Sequence, residues 1–358
     1  MQKEDLELLL SGVVRADAST LHLAAGHRPS MRLKGRLVCS DEDPIAAIDL
    51  ESLSKDFLFD DHRTRLDRGE EVEFLYTTQN CTRFRAVVMR HSLGMRLAFH
   101  RIPLTIPEFQ ELNLPPLLAG FSGLSSGLIV VTGFMGSGKS TTLAAMVNHI
   151  NKNRAQHIVL IENPVEFIYE PGQSLVHQRE VGFHVKGFAE GVREACRTGA
   201  DVVVVSEIRD RETMDEVLAA TEKGVLVITT IHSSSVSAGF SELQGLYDPD
   251  DRPRFRARLA SSLRILMAQT LLNGAHNIGK VPLLEILVNS SALSRVIRSG
   301  KFHDLPGVMT KSRGLGSQTA DVGLHDLLSR HLISEEEALF HAVDREEVLR
   351  RRPVGSGN

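Results

Sequence analysis

The sequence predicts an α/β fold: a core of parallel strands alternating with helices, which follows a small α+β domain and leads into a helical C-terminal region. Three observations predict it. The apolar run at 127–132 leads straight into Gly133-Phe134-Met135-Gly136-Ser137-Gly138-Lys139-Ser140, and a helical pattern follows from Thr141. Three further runs, 157–162, 201–207 and 225–232, are continuously apolar and end in polar residues, as strands buried on both faces do. Helical stretches at 188–197 and 211–223 alternate with them, the second closed by Gly224.

Residues 1–102 read as the α+β domain. A short helix opens it at 4–14, and strands follow at 21–23 and 31–33 with Pro29 in the turn between. Runs at 72–77, 83–90 and 95–100 read as further antiparallel strands. Four prolines, Pro103, Pro107, Pro115 and Pro116, mark 103–118 as a stiff linker. The core spans 119–290. From Pro253 to about 348 the pattern is mostly helical, with 291–348 a C-terminal helical region and 349–358 a loose tail. No internal repeat is present in the sequence.

Composition narrows the function classes. A chain of 358 residues, 42% of them hydrophobic, suits two or three domains with real cores. Lys+Arg total 41 against 45 Asp+Glu, a net charge of -4, which argues against a nucleic-acid partner. The acidic start Met-Gln-Lys-Glu-Asp is unlike a signal peptide, and no stretch has the length of a membrane span. Cys39, Cys81 and Cys196 are too scattered for a disulfide framework or a zinc site, which fits a reducing cytosol.

Residues 133–140 complete the pattern G-x-x-x-x-G-K-[ST]. Between a strand and a helix this is a phosphate-binding loop; the bland alternative is a glycine-rich turn, which the flanks argue against. Gly133, Gly136 and Gly138, with Ser137 and Thr141, would let backbone N–H groups surround phosphate oxygens at a helix N-terminus. Lys139 would neutralise the β/γ-phosphates and Ser140 would hold Mg²⁺. The implied ligand is a nucleoside triphosphate.

The strand ends supply the rest. Glu207 ends an apolar strand, where a carboxylate could activate the attacking water or hold Mg²⁺ through water; the alternative is an acid that merely caps the strand. Glu162 ends the preceding strand and is the better second catalytic candidate, with Glu166 structural. A strand between the phosphate-loop strand and the acidic strand is the arrangement of RecA-like ATPases. His232, after Thr229-Thr230-Ile231, could sense the γ-phosphate; a lone histidine at a strand end is more often only hydrogen-bonded.

Taken together these residues resemble the secretion-superfamily traffic ATPases, most closely the PilT/PilU family of type IV pilus retraction ATPases. The phosphate loop matches as far as Met146. Ile161-Glu162-Asn163-Pro164-Val165-Glu166-Phe167 resembles the family's Asp box, and Gln178-Arg179-Glu180-Val181 a further motif. Val203 to Asp210 resembles the Walker B segment, and Thr230-Ile231-His232-Ser233-Ser234-Ser235 the His box. Ala268-Gln269-Thr270-Leu271-Leu272 is similar to a Ser-Gln-Thr-Leu segment. Gly316 to Thr319, and on through Leu332-Ile333-Ser334, resembles the C-terminal helices. Leu21 to Gly26 and Arg83-Phe84-Arg85 match a PAS-like N-terminal domain.

The resemblance implies a homohexameric ATPase that uses ATP and Mg²⁺ to power pilus retraction and twitching motility. The implied location is cytoplasmic, at the inner face of the cytoplasmic membrane. The implied partners are a pilus platform protein and a second retraction ATPase. It also implies that Arg85 and Arg101, with Arg83 a third candidate, reach ATP as catalytic arginines. Their place on a strand fits a solvent face equally well. Several positions depart from the family. Asn163 replaces an Asp, Ser206 a Gly, and Phe134-Met135 a Pro-Thr. No Arg precedes Gly127, and only part of a retraction-associated motif survives in Ala292 to Ser299. The residues from Arg101 to Pro115 and the extended C-terminus resemble the PilU type more than PilT. An alternative follows: an accessory ring subunit that hydrolyses ATP weakly beside a partner motor. A nucleic-acid helicase is the third reading, and the charge disfavours it.

Overall fold

A computed structural model describes residues 2–33, 36–102 and 105–350. The chain divides into two compact units, Met1–Thr105 with Pro164–Ile168, and Ile106–Asn163 with Tyr169–Asn358. Pro103 and Leu104 of the expected linker, and residues 351–358 of the expected tail, lie outside the described residues.

The first unit runs α1 (Lys3–Arg15), β1 (Thr20–Ala24), β2 (Ser30–Leu33), β3 (Arg36–Cys39), α2 (Ala47–Lys55), α3 (Asp60–Asp67), β4 (Val72–Thr77), β5 (Arg83–His91) and β6 (Gly94–Arg101). Its six strands form one antiparallel sheet in the order β3-β2-β1-β6-β5-β4. Successive side chains point to opposite faces. Phe84, Ala86, Val88, Leu97 and Phe99 therefore share one face, which is buried with Leu6, Leu10 and Val13 of α1. The cross-strand register puts Thr20, His22, Arg85, Arg96 and His100 on the other. Five of the strands fall where the sequence places them. β3 does not announce itself, because all four of its residues are exposed and nothing alternates. α2 and α3 were not expected either; α3 buries only His62 and Leu66.

The second unit begins with α4 (Leu117–Ser122), β7 (Gly127–Thr132), α5 (Lys139–Asn153), β8 (His157–Glu162), β9 (Leu175–Glu180), α6 (Phe188–Arg197), β10 (Val202–Val205), α7 (Arg211–Glu222), β11 (Leu226–Ile231), α8 (Val236–Gly245) and α9 (Arg252–Ser262). It continues with β12 (Leu263–Asn273), β13 (Lys280–Val288), α10 (Ser291–Ser299), α11 (Leu305–Lys311), α12 (Ala320–Ser329), α13 (Glu335–His341) and α14 (Arg345–Arg350). Seven strands form a sheet in the order β13-β12-β7-β11-β10-β8-β9, parallel except for β13. Both faces are covered. Leu128 and Val130 of β7 join a core with Val192, Val217, Phe240 and Leu259 from the helices on one face. Ile129 and Val131 join another with Leu118, Met146 and Ile150 on the opposite face. That double burial is why these strands read as unbroken apolar runs.

The structure corrects several expectations. Helices fill much of the stretch from Pro253, as expected, but β12 and β13 also lie within it, and their apolar residues extend the sheet as an antiparallel pair. A strand does lie between β7 and the acidic strand β10, but it is β11; β8 pairs on the far side of β10. The core is also not contiguous from 119 to 290, since Pro164–Ile168 packs with the N-terminal unit and the second unit already begins at Ile106. The expected tail starts late as well, because α14 continues to Arg350.

Candidate active site

Parallel strands bring their C-terminal ends to one edge, and the candidate residues follow those ends. The loop after β7 turns at glycines in the left-handed region. Gly133 has φ 156, and a Cβ there would lie 2.4 Å from both Gln269 O and Ser137 Oγ, so no larger residue fits. Gly138, with φ 85, is the N-cap of α5. Behind it α5 offers the free N–H groups and positive dipole end of a 15-residue helix. Phe134 and Met135 stand exposed at the loop tip.

Lys139 is buried, and its Nζ donates to Gly133 O at 2.7 Å and to Phe134 O at 3.0 Å. Burial lowers the pKa of the ammonium, while Glu207 and Glu242 oppose that shift. Nζ also lies 3.3 Å from His232 Nδ1. An ammonium has no lone pair to offer, so Nδ1 is the acceptor and Nε2 carries the proton. Nε2 lies 3.0 Å from Glu207 Oε2 and donates to it. The other oxygen of Glu207 pairs with Arg209. A continuous polar chain thus joins the phosphate-loop lysine, the histidine and the strand-end carboxylate. Glu242 of α8 accepts from the His232 backbone N–H at 3.3 Å. Glu207, Arg209, His232 and Glu242 line a cavity of about 320 Å³.

The His232 segment is held at both sides. Ser233 N donates to Thr132 Oγ1 at 2.8 Å, which ties it to the end of β7. Thr230 Oγ1 donates to Ser206 O at 2.6 Å, which ties it to the residue before Glu207. Beyond it, Ser235 caps α8 and Val236 N donates to Glu285 Oε2 at 2.8 Å. Burial raises the pKa of Glu285, and the Val236 N–H works against that.

The other expected residues sit apart from this chain. Glu162, buried at the end of β8, accepts from Gln178 Nε2 at 2.8 Å. Arg85 belongs to the N-terminal unit, where it pairs with Glu73 at 3.1 Å and Glu166 at 3.3 Å. Arg101, in the same unit, pairs with Asp17 at 2.8 Å. The register sets Arg85 opposite His100 and Arg101 opposite Phe84, so the two arginines stem from opposite faces of their sheet. Asn163 is exposed just past Glu162. Arg209 and Glu242 were not anticipated as site residues. The pattern Glu207-x-Arg209 was visible, but nothing in the sequence says that a residue in the second turn of α8 returns to His232.

A phosphate group fits this loop. Ser137 Oγ is buried with no hydrogen-bond partner, beside backbone N–H groups that have none within the helix. Among the described residues no cluster of three metal-ligating side chains exists. A Mg²⁺ ion here would rely on Ser140, Glu207 and the phosphates, as this cation commonly does.

The comparisons with known proteins agree with this geometry. The family model described as Type II/IV secretion system protein matches residues 60–312. The type IV pilus retraction ATPase PilT of Pseudomonas aeruginosa is 33% identical over 334 residues, covering 93% of this chain and 97% of PilT. The chain belongs to the type II/IV secretion ATPase family. Within that family the type IV pilus ATPase PilU of Pseudomonas aeruginosa is 31% identical, over 98% of this chain and 92% of PilU. The similar identities to PilT and PilU place the chain in the PilT/PilU branch without setting it nearer to either. A crystal structure of the pilus retraction motor PilT with bound ADP superposes with a TM-score of 0.87 at 31% identity, covering 98% of this chain and 99% of that one. The RecA-like core is therefore the family's own. Among the described residues, no helix is long and apolar enough to cross a membrane.

Proposed function

We propose that this chain is an ATP-hydrolysing motor subunit that powers type IV pilus retraction as a homohexameric ring. It would work at the cytoplasmic face of the inner membrane, against a pilus platform protein and alongside a second retraction ATPase. The Lys139–His232–Glu207 chain carries the reading. In it, backbone N–H groups of residues 136–141 and the Lys139 ammonium bind the phosphates. Glu207 accepts a proton from the attacking water and orients it. Glu162 supplies a second carboxylate at the same sheet edge. Ser140 and Glu207 would hold Mg²⁺, which would supply charge neutralisation at the phosphate oxygens.

The chain of contacts also gives the site a signal. A phosphate that draws Lys139 away from Gly133 O and Phe134 O breaks its contact with His232, whose other nitrogen holds Glu207. Arg85 and Arg101 serve as catalytic arginines supplied by the N-terminal unit. Their present ion pairs are half exposed and weak enough to be exchanged for phosphate. The test is steady-state ATP hydrolysis by purified protein, with pilus number and retraction scored after deletion of the gene. Rapid hydrolysis together with hyperpiliation supports the motor. The second reading, an accessory subunit with weak hydrolysis, draws on Asn163, which leaves the Asp box one carboxylate short. Tight ATP binding with near-zero turnover would favour it.

A further inference from the structure

Gln269 is a polar side chain in the otherwise apolar interior of β12, and it is buried. It stands one residue past Ala268, the last partner of Thr132 in the β12–β7 ladder, so it faces the first turn of the phosphate loop. Its two amide atoms are both used there. Nε2 donates to Ser137 O at 2.8 Å. Oε1 accepts from Thr142 Oγ1 at 2.8 Å. One side chain therefore grips the last carbonyl before Gly138 and the first turn of α5. Its backbone takes part as well, because Gln269 O is the atom that leaves no room for a Cβ at Gly133. A Cβ at Gly138 would lie 2.9 Å from Gln269 Nε2, so the amide also fits against the N-cap.

We infer that Gln269 is a positioning residue for phosphate binding, one that fixes the loop before nucleotide arrives. The loop must hold several N–H groups inward at once. A flexible loop would lose that order and bind phosphate less tightly, because ordering costs are then met on binding. Ser137 O pointing back at Gln269 keeps that carbonyl, which would repel phosphate, turned out of the cradle. Thr142 Oγ1 anchors the amide so that its Nε2 edge, and not its oxygen, meets Ser137 O. The assignment follows from the donor and acceptor chemistry: a threonine hydroxyl can donate to Oε1, and a carbonyl can only accept. Gln269 touches no reacting atom, so its effect is on affinity and loop order.

This inference rests on the assignment of residues 133–140 as the phosphate site, and Lys139→Ala tests that assignment separately. The probe is a fluorescent ADP analogue, read by anisotropy with the full chain at a temperature where all variants are folded. Gln269→Leu should raise the dissociation constant for ADP about ten-fold or more while leaving turnover at saturating ATP much less affected, a shift in KM more than in kcat. Gln269→Glu keeps the acceptor for Thr142 but sets a carboxylate against Ser137 O, and should bind ADP more weakly still. If Gln269→Leu is unstable, Gln269→Leu with Thr142→Val removes the orphaned hydroxyl. That double variant should regain thermal stability without regaining affinity. Wild-type ADP affinity in Gln269→Leu, with Lys139→Ala defective, overturns the inference alone. Affinity that returns together with stability in the double variant also overturns it, since Gln269 is then only packing. Wild-type affinity in Lys139→Ala overturns the site itself.

Discussion

In the core sheet β7, β10 and β11 are buried along their whole length and place the candidate site residues just past their ends, whereas β5 of the N-terminal sheet alternates buried and partly exposed residues along most of its length. The cause is how many faces are covered. Helices on both sides of the core sheet leave no lateral outlet for a charged side chain, so Lys139, His232 and Glu207 converge at one edge. Helices bury only one face of the N-terminal sheet. The other carries Arg85, Arg96, His22 and His100 in a broad field, held by partial pairings such as Arg85 with Glu73. The core thus builds a site of fixed geometry. The N-terminal unit presents charges that can exchange partners.

If that contrast is correct, the largest losses come from the core. Lys139→Ala should abolish detectable turnover and weaken nucleotide binding. Glu207→Gln keeps the shape, and its one amide oxygen can still accept from either His232 or Arg209, but it loses the charge proposed to activate water. Hydrolysis should fall by about two to four orders of magnitude while ATP still binds, the usual scale for general-base loss. Radiolabelled ATP hydrolysis paired with equilibrium binding checks both. Unchanged turnover in either variant removes that residue from the chemistry.

A smaller loss, about a hundred-fold, is expected from Arg85→Ala or Arg101→Ala if each donates to transition-state charge. Fold stability should hardly change, because their present ion pairs are half exposed. Mixing an Arg85→Ala subunit with a Lys139→Ala subunit sharpens the test. Where rings share sites between subunits, some interfaces then contain two intact halves and activity returns in part. Tagged pull-down first establishes that mixed rings form. No recovery in verified mixed rings contradicts a shared site.

Smaller still is His232→Ala. Lys139 keeps its two carbonyl partners and Glu207 keeps Arg209, so ADP affinity should stay near wild type. Turnover should drop about ten-fold, the order expected for one hydrogen bond to a charged group. Loss of ADP affinity instead would mean that His232 supports the loop and not the carboxylate.

The same contrast explains what could be read from the sequence. Glu207, Glu162 and His232 were legible because each terminates an apolar run that a doubly covered strand requires. The phosphate loop was legible from its own spacing. β12 and β13 were not, since residues 263–273 and 281–288 are apolar runs long enough to pass for buried helix, and only pairing partners decide between the two. Arg85 and Arg101 could be singled out by family resemblance, but alternation alone could not say that they stem from opposite faces; that needed the β5–β6 register. Arg209, Glu242 and Gln269 join the site or its support from elements distant in sequence. Gln269 did leave a trace, as a lone amide within Ile265-Leu266-Met267-Ala268-Gln269-Thr270-Leu271-Leu272.

The gentlest test uses pH, because His22 and His100 of one unit and Glu285 of the other respond to acid in opposite senses. His22 and His100 in the N-terminal unit have pKa values lowered by burial and by arginines: Arg96 and Arg32 for His22, and Arg85 first among the charges at His100. Burial lowers His62 as well, with Asp61 opposing. A histidine lowered in the folded state binds its proton more readily when unfolded. The unfolded chain therefore takes up more protons as pH falls below 6.5, the unperturbed value, and stability drops until the folded pKa is passed. Glu285 in the core has its pKa raised by burial and by Asp321. Its contribution is complete below the unperturbed 4.5 and is lost as pH rises through the raised value. Acidification from pH 7.5 towards 4.5 should therefore loosen residues 2–33 and 36–102 as the histidines take up protons, while easing the strain at Glu285 as its carboxylate is protonated. Hydrogen exchange followed by mass spectrometry, corrected for intrinsic rates, resolves the two units. His22→Asn with His100→Asn should flatten the acid response of the first, and Glu285→Gln that of the second. If both units lose protection in parallel and neither substitution alters the slope, the buried groups named here do not set the pH response. The contrast between a fixed core site and an exchangeable arginine face would then lack this thermodynamic signature.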